Sequence, residues 1–170
     1  SLTGIGIVGA DVYTKHPSAE VLSLAYDLKD GHGCRLWLPG CPAPLDLFGY
    51  IASGGFIAAW NSMFEYRGWK NICVARMGWP ELPLGQLRDD AAKARAFSLP
   101  GALAKCGEAI RAPIQKDKDG TRLLNKFSIP RSPTKKNPAL RLRPEDDPAD
   151  AARLYGYNIR DIEAEAAISA

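Results

Sequence analysis

A tyrosine and an aspartate stand four residues apart near the end of the chain, in "LYGYNIRDIEAE". The segment from about 147 to 170 predicts a helix, because Asp147 suits the N-cap and Pro148 suits the first helical position. A spacing of four places Tyr157 and Asp161 one above the other on one helix face. An acidic helix of this kind offers the oxygen ligands that divalent cations prefer.

The helical periodicity separates this pair from the predicted core of the same helix. At about 100° per residue, Tyr157 and Asp161 point well away from the predicted core stripe. That stripe consists of Tyr155, Ile159, Ile162 and Ala166. Core packing alone therefore does not explain the pair, and the alternative is a solvated tyrosine and aspartate on a surface helix.

A second group of polar residues lies in "AAWNSMFEYRGW", where Asn61, Phe64 and Glu65 follow a predicted strand and open a predicted helix. A strand-to-helix junction is a common place for functional side chains. Two structural alternatives remain open. Ser62 and Glu65 fit a capping box, and Asn61 fits an ordinary N-cap.

Three glycines at the start of "SLTGIGIVGADVY" have the G-x-G-x-x-G spacing of a dinucleotide-binding turn, at Gly4, Gly6 and Gly9. That turn requires a strand before the first glycine and a helix after the last. Only three residues precede Gly4, and Pro17 and β-branched residues argue against a following helix. We therefore interpret the segment as a glycine-rich loop or edge leading into the first strand.

The elements between these groups predict an α/β or α+β domain. Residues 20–28 and 34–40 predict strands joined by a turn at 29–33, and residues 44–53 predict a short helix. A strand in 54–60 runs into a helix that ends at Gly78. The remaining predicted helices are residues 83–99, 100–110 and the final helix.

Charge is distributed unevenly along a chain whose net charge is only +3. Residues 111–143 hold ten basic and two acidic side chains, whereas residues 144–170 hold two basic and seven acidic ones. Frequent prolines predict that 111–148 is a long basic loop with at most one helical turn. Such a segment can attract a polyanion.

The four cysteines form no C-x-x-C pair, and the two histidines lack zinc-ligand spacing. This pattern favours reduced thiols in a cytosolic protein. No apolar stretch is long enough to predict a membrane span. The 170 residues are expected to form one domain.

Taken together, these segments resemble the 3′–5′ proofreading exonuclease domains of the DnaQ-like (DEDD) superfamily. More narrowly, they resemble the version that precedes the polymerase domain in family A DNA polymerases of phages and prophages. "WNSMFEYRGWKNICVARMGWPELPLGQLRDDAAKARAFSLPGAL" resembles the second exonuclease motif and the helices after it. "RLRPEDDPADAARLYGYNIRDIEAE" resembles the third motif, of the Y-x-x-x-D type, and "KDKDGTRLLNKFSIPR" resembles the basic loop of the family.

The resemblance implies a ribonuclease H-like fold, with one mixed sheet flanked by helices, and two-metal hydrolysis of phosphodiesters with Mg²⁺ or Mn²⁺. It makes Asp161 and Glu65 metal ligands, Tyr157 the residue that orients the attacking water, and Asn61 a neighbour in the cleft. It assigns Phe64 to DNA contact. A DNA 3′ end or single-stranded DNA is the implied partner, with a polymerase domain C-terminal in the parent protein and a cytoplasmic location in a bacterial or phage-infected cell.

Two departures from the family pattern weaken the expected activity. The first motif, D-x-E, which supplies two of the four carboxylates, is not found, and Ser1 stands where that strand should already have ended. Trp60 stands where this subgroup usually has histidine. We therefore expect little or no exonuclease activity from these 170 residues, although the parent protein has it.

The alternative hypothesis is a non-catalytic nucleic-acid-binding module with the same fold. The basic segment would then track a phosphate backbone, and Phe127 would stack on a base. The basic residues selected for this role are Lys116, Lys118, Arg122, Lys126, Arg131, Lys135 and Lys136. A solvated loop that binds nothing is the third possibility for this segment.

Overall fold

The computed structural model describes residues 5–113, 120–129, 131–133, 139 and 141–169, and it is a mixed α/β structure. Lys116, Lys118, Lys135 and Lys136 lie outside the described residues. The strands are β1 (Leu24–Tyr26), β2 (Arg35–Trp37), β3 (Ile57–Ala59) and β4 (Leu87–Asp89). The helices are α1 (Ile5–Lys15), α2 (Leu45–Ala52), α3 (Ser62–Gly68), α4 (Ala75–Met77), α5 (Asp90–Ala96), α6 (Leu103–Ala109), α7 (Gly120–Ser128) and α8 (Pro148–Ser169).

The first two strands form the hairpin that the sequence predicts, although each is shorter than expected. They run antiparallel, with Ala25 opposite Leu36. The connecting turn needs left-handed backbone at Gly31 and Gly33, where φ is 87° and 75°. Glycine adopts that conformation without a steric penalty, which is why the turn forms here.

Strands β3 and β4 form a second sheet, and their pairing corrects two expectations. They run parallel, with Ala59 opposite Asp89. Residues 87–89 were predicted as helix, but they extend along β3 and the helix α5 begins only at Asp90. In the part of the chain that the structure describes, the strands form two separate two-stranded sheets and not the single mixed sheet expected.

The predicted long helix after β3 is present as three consecutive pieces. Helix α3 passes into a π-helical turn over Trp69–Val74 and then into α4. The predicted end is confirmed: Gly78 adopts left-handed backbone, with φ of 70°, and its amide donates to the carbonyl of Val74 at 3.2 Å.

Gly4 lies outside the described residues, but Gly6 and Gly9 fall within helix α1, so the interpretation of this segment as a loop is wrong. Helix α1 is interrupted at Gly9, where φ is 76° and ψ is 163°. It ends at Lys15, just before Pro17, and the Arg76 guanidinium covers that end. Arg76 Nη2 donates to the carbonyls of Thr14, Lys15 and His16, at 3.2, 3.3 and 3.0 Å, and Nη1 donates to those of Pro17 and Ala19, at 3.3 and 2.8 Å.

The predicted basic loop contains a nine-residue helix, α7, which packs against α8. Its Phe127 is 1% exposed and Leu123 is 2% exposed. Asp147 caps α8 as predicted, since its Oδ1 accepts from the amide of Asp150 at 3.1 Å. The predicted core stripe of α8 is wrong. The fully buried residues of that helix are Ala151, Leu154 and Ala164, whereas Tyr155, Ile159, Ile162 and Ala166 are half-buried.

Two apolar clusters hold these elements together. The larger one centres on Trp79, whose ring makes edge contacts with Trp37, Phe48 and Trp69 at centroid distances of 4.8 to 5.2 Å. The buried indoles of Trp37 and Trp69 donate to the carbonyls of Pro42 and Pro80. The smaller cluster joins α7 to α8 through Leu123, Phe127, Ala151 and Leu154. Among the described helices, none has the length and apolar character needed to cross a bilayer.

Candidate functional site

The carboxyl ends of β3 and β4 lie side by side because the two strands are parallel. The chain leaves β3 through Trp60 and Asn61 and then opens α3. Asn61 occupies the N-cap position with left-handed backbone, φ 65°, and its side chain makes no capping bond. Ser62 is the first residue of the helix and is buried, so the capping box does not form.

Helix α8 is fastened to this junction by a hydrogen bond. Glu165 Oε2 accepts from the backbone amide of Trp60 at 3.2 Å. On its other side, the Trp60 indole Nε1 donates to the carbonyl of Gly101 at 3.0 Å. Trp60, which departs from the family pattern, therefore links β3 both to α8 and to the segment before α6.

Acidic side chains from α3, α5 and α8 lie within electrostatic reach of Glu165. The pKa of Glu165 is raised to about 7, mainly by burial and in addition by the negative charges of Glu65, Asp161 and Asp90, while the hydrogen bond from the Trp60 amide lowers it. Burial likewise raises the pKa of Glu65 to about 7, with a contribution from Asp89. Glu65 is an exposed residue, so water screens part of the effect of burial and neighbouring charge on its pKa. Glu165 is half-buried, so water screens the same effects on its pKa less.

The neighbours of this acidic cluster (Glu65, Asp89, Asp90, Asp161 and Glu165) set its borders. Asp89 caps α5 by accepting from the amide of Ala92 at 3.0 Å. Asp90 accepts a hydrogen bond from the hydroxyl of Ser169. The last turn of α8 is therefore attached to the first turn of α5, directly beside the end of β4.

The chemistry of the acidic cluster suits hard divalent cations, since carboxylate oxygens are their preferred ligands. The geometry does not complete a metal site. Within the described residues, no group of three or more histidine, cysteine, aspartate or glutamate side chains stands close enough together to hold a metal ion. The residues present therefore do not fit a complete two-ion centre.

The sequence-selected acids and aromatic residues are only partly brought together. Glu65 and Asp161 lie within electrostatic reach of Glu165. Tyr157 shares the helix of Asp161, but its half-buried ring packs against the cluster of Leu123 and Phe127. It lies so close to α7 that a Cβ added to Gly120 would fall 1.9 Å from Tyr157 Cε2.

Phe64 lies on the side of α3 that faces α1, and Asn61 lies at the start of α3. The ring centroid of Phe64 lies 6.5 Å from that of Tyr13 on α1. Asn61 is exposed. Both residues lie within four positions of Glu65 in the sequence.

The basic candidates of α7 form ion pairs with aspartates of the same chain. Lys126 Nζ lies 2.6 Å from Asp150 Oδ2 and also pairs with Asp147, while Arg122 lies 3.7 Å from Asp150. Phe127 is buried in the core, so stacking on a base would require it to leave its packing site. Arg131 is half-buried.

Sequence reasoning missed Glu165 and Asp90. A signal for Glu165 existed, since it follows Asp161 by four residues and so extends the same helix face. Asp90 was hidden inside a segment predicted as helix, where its position at the end of a parallel strand was not apparent.

Comparison with known proteins gives one informative similarity. The chain is 34% identical over 163 residues, 94% of its length, to the DNA polymerase of Bacillus phage SP02. It covers 24% of that protein, so it spans about a quarter of the length of this relative. No family model matches the chain, and no solved structure matches it. The sequence is therefore similar to one segment of a phage DNA polymerase.

Proposed function

We propose that this chain is the 3′–5′ exonuclease region of a phage-type DNA polymerase, built on a ribonuclease H-like fold, and that its acidic cluster faces the 3′ end of DNA. The observation that carries the proposal is the meeting of Glu65 and Asp161 beside Glu165. These residues come from two motifs about a hundred positions apart, yet the charges of both raise the pKa of Glu165. Similarity to a DNA polymerase supplies the biological context.

In this proposal, each of the selected residues has a distinct role. Asp161 and Glu65 are the acids that would face a divalent cation, and Asn61 lies at the exposed turn beside them. Tyr157 would support the helix that carries Asp161 and orient the attacking water. Mg²⁺ or Mn²⁺ would supply charge stabilisation when bound with the carboxylates of the first exonuclease motif, a D-x-E that is not found ahead of Glu65 in these residues.

A non-catalytic DNA-binding role is the second candidate, and the lack of a complete carboxylate group in the described residues favours it. The two candidates differ in how they treat the end of a DNA strand. A site that reads the backbone binds a strand regardless of its end. A carboxylate cluster that receives a 3′ hydroxyl repels a 3′ phosphate, because both carry negative charge.

A binding experiment separates the two candidates. The affinity of the chain for two single-stranded oligonucleotides, identical except for a 3′ hydroxyl or a 3′ phosphate, is measured by fluorescence anisotropy. The exonuclease proposal expects tighter binding of the 3′ hydroxyl form and loss of this preference in Asp161→Asn. Glu163→Gln, an exposed acid of the same helix, is the matched control. Equal affinity for both strands would support the non-catalytic role.

A degradation assay addresses activity directly. A 5′-labelled oligonucleotide is incubated with the chain and Mg²⁺ or Mn²⁺, and 3′ trimming is followed on a gel. We expect little trimming, since two of the four family carboxylates are missing. Robust metal-dependent trimming that Asp161→Ala abolishes would instead show that these 170 residues suffice for catalysis.

A further inference from the structure

Three carboxylates of the acidic cluster, Asp89, Asp90 and Glu165, have no role in the resembled exonuclease motifs, and Glu165 is the one that contacts the turn before α3. It lies one helical turn beyond Asp161 on α8. Its Oε2 atom accepts from the Trp60 amide at 3.2 Å, across 105 residues of sequence. This bond joins the helix that carries Asp161 to the turn that carries Asn61 and leads to Glu65.

The turn at Trp60 and Asn61 needs such support. Asn61 holds left-handed backbone, a conformation uncommon for residues other than glycine, and its side chain makes no capping bond that would stabilise it. The amide of Trp60 lies just beyond the last paired residue of β3. Glu165 is thus the observed acceptor for a backbone donor at the point where the chain turns.

Trp60 is held from the opposite side as well. Its indole donates to the carbonyl of Gly101 at 3.0 Å, so Trp60 is hydrogen-bonded both to α8 and to the segment before α6. Both contacts involve partly buried atoms, where a hydrogen bond fixes geometry more firmly than it does in water. The side chain that replaces the usual histidine therefore has a structural use.

We propose that Glu165 is a positioning residue, which sets the distance and orientation between the Tyr157–Asp161 face of α8 and the Asn61–Glu65 turn through the Trp60 amide. It acts as a hydrogen-bond acceptor and not as a ligand of DNA or metal. Its partly buried contact with the Trp60 amide, on an element 105 residues away in sequence, is the geometry expected of a group that fixes the backbone. The consequence for DNA binding rests on the proposed function, whereas the hydrogen bond itself does not.

Two substitutions distinguish acceptor from charge. Glu165→Gln keeps an oxygen that can accept from the Trp60 amide and removes the negative charge. Glu165→Ala removes both. Loss of charge near DNA strengthens binding or leaves it unchanged, so any weakening that Ala shows relative to Gln reports the lost acceptor. Glu163→Gln serves as the control on the same helix.

The first measurement is the amide spectrum of the ¹⁵N-labelled chain. In the wild-type chain the Trp60 amide resonance is expected to shift with pH as Glu165 titrates, and in Glu165→Gln it is expected to stay at one position. In Glu165→Ala the resonances of Trp60 and Asn61 move and their hydrogen exchange accelerates at least tenfold. Unchanged Trp60 and Asn61 amides in Glu165→Ala would overturn the proposal.

The second measurement is the dissociation constant for the single-stranded oligonucleotide with a 3′ hydroxyl. We expect Glu165→Ala to bind at least fivefold more weakly than Glu165→Gln, and Glu165→Gln to bind at least as tightly as the wild-type chain. Equal binding by the two variants would overturn the link to the site. If the wild-type chain binds no DNA, the proposed function fails, and the amide spectrum still decides the positioning role.

Discussion

Glu165 on the last helix and Trp60 at the end of β3 are joined by a hydrogen bond of 3.2 Å from the Trp60 amide to Glu165 Oε2. The same carboxyl group feels the charges of Glu65, Asp161 and Asp90. One side chain is therefore both a fastening between two elements and a member of a group of like charges. These two properties have opposite effects on stability, and pH separates them.

The first prediction concerns pH and the free energy of unfolding. The pKa of Glu165 is about 7 in the folded chain and 4.5 in its ordinary state, so between these values the folded chain binds more protons. Its stability then falls as pH rises from about 4.5 to about 7. Glu165→Gln lacks this loss and keeps the acceptor. We expect its free energy of unfolding to exceed that of the wild-type chain by an amount that grows to roughly 1–3 kcal/mol as pH rises from about 5 to about 8.

Urea denaturation of both proteins at several pH values measures this difference. Titrating groups outside the acidic cluster are common to both proteins and cancel in the comparison, so the difference reports Glu165 and the acids coupled to it. Glu163→Gln provides the control, since it changes charge by the same amount on the same helix. A stability difference between wild type and Glu165→Gln that does not vary with pH would contradict a raised pKa of Glu165 in the folded chain.

The second prediction concerns the contact of Tyr157 with Gly120. Gly120→Ala places a methyl group where the ring of Tyr157 now lies. We expect a loss of roughly 1–3 kcal/mol, as is typical of an overpacked site. In a Tyr157→Ala background the same change should cost far less, because the obstructing ring is gone. Tyr157→Phe, which keeps the ring, should behave like the wild-type chain in this double-mutant cycle.

The third prediction concerns Lys126. Its hydrogen bonds lower the pKa values of Asp147 and Asp150, and the two carboxylates raise that of Lys126. The stabilisation is present at neutral pH and is lost as pH falls below about 4, where these carboxylates take up protons. Lys126→Gln should lower the thermal midpoint at neutral pH, and its effect should shrink progressively as pH falls below about 4 through the lowered pKa values of the two carboxylates.

The same variant tests whether Lys126 binds DNA. Because its charge is already paired within the protein, we expect Lys126→Gln to leave both the DNA affinity and the salt dependence of binding unchanged. If Lys126 instead contacted a DNA phosphate, its loss would make the salt dependence of binding shallower by about one released ion. Lys105→Gln, at an exposed lysine on α6, is the comparison for a change of surface charge.

The fourth prediction concerns Arg76, whose guanidinium covers the end of α1. Lysine carries the same charge but lacks the planar fork that reaches several carbonyls at once. Arg76→Met should reduce the free energy of unfolding by about 1–3 kcal/mol, and Arg76→Lys should lie between it and wild type. Hydrogen exchange of the α1 amides should accelerate in the same order. Unchanged exchange in Arg76→Met would show that α1 does not depend on this contact.

Local signals predicted the elements that depend on neighbouring residues. The hairpin, the end of the helix at Gly78 and the cap at Asp147 all follow from turn and cap chemistry within a few positions. Strand β4 was missed because three residues next to an alanine-rich helix carry no periodicity of their own. Its extended form depends on pairing with β3, thirty residues earlier.

The site was predicted in the same uneven way. Spacing selected Asp161 and Glu65, and the structure brings their charges together at Glu165. Spacing also pointed Tyr157 away from the core, but the ring packs on α7, a helix that the proline content of the segment had concealed. The same helix buries Phe127, which the sequence predicts as a base-stacking residue in a basic loop. Which face of α8 is buried depends on that unpredicted neighbour.

The long separation between Trp60 and Glu165 also determines when the acidic cluster can form during folding. The larger apolar cluster draws only on residues 21–87, so a chain emerging from the ribosome can complete it early. The bond from Trp60 to Glu165 closes a loop of 105 residues, and those from Asn158 to Ser23 and from Arg141 to Ser18 span 135 and 123. Closing such loops costs chain entropy and slows folding. The larger apolar cluster can therefore form well before the acidic cluster, which is complete only when the final helix packs against the end of β3.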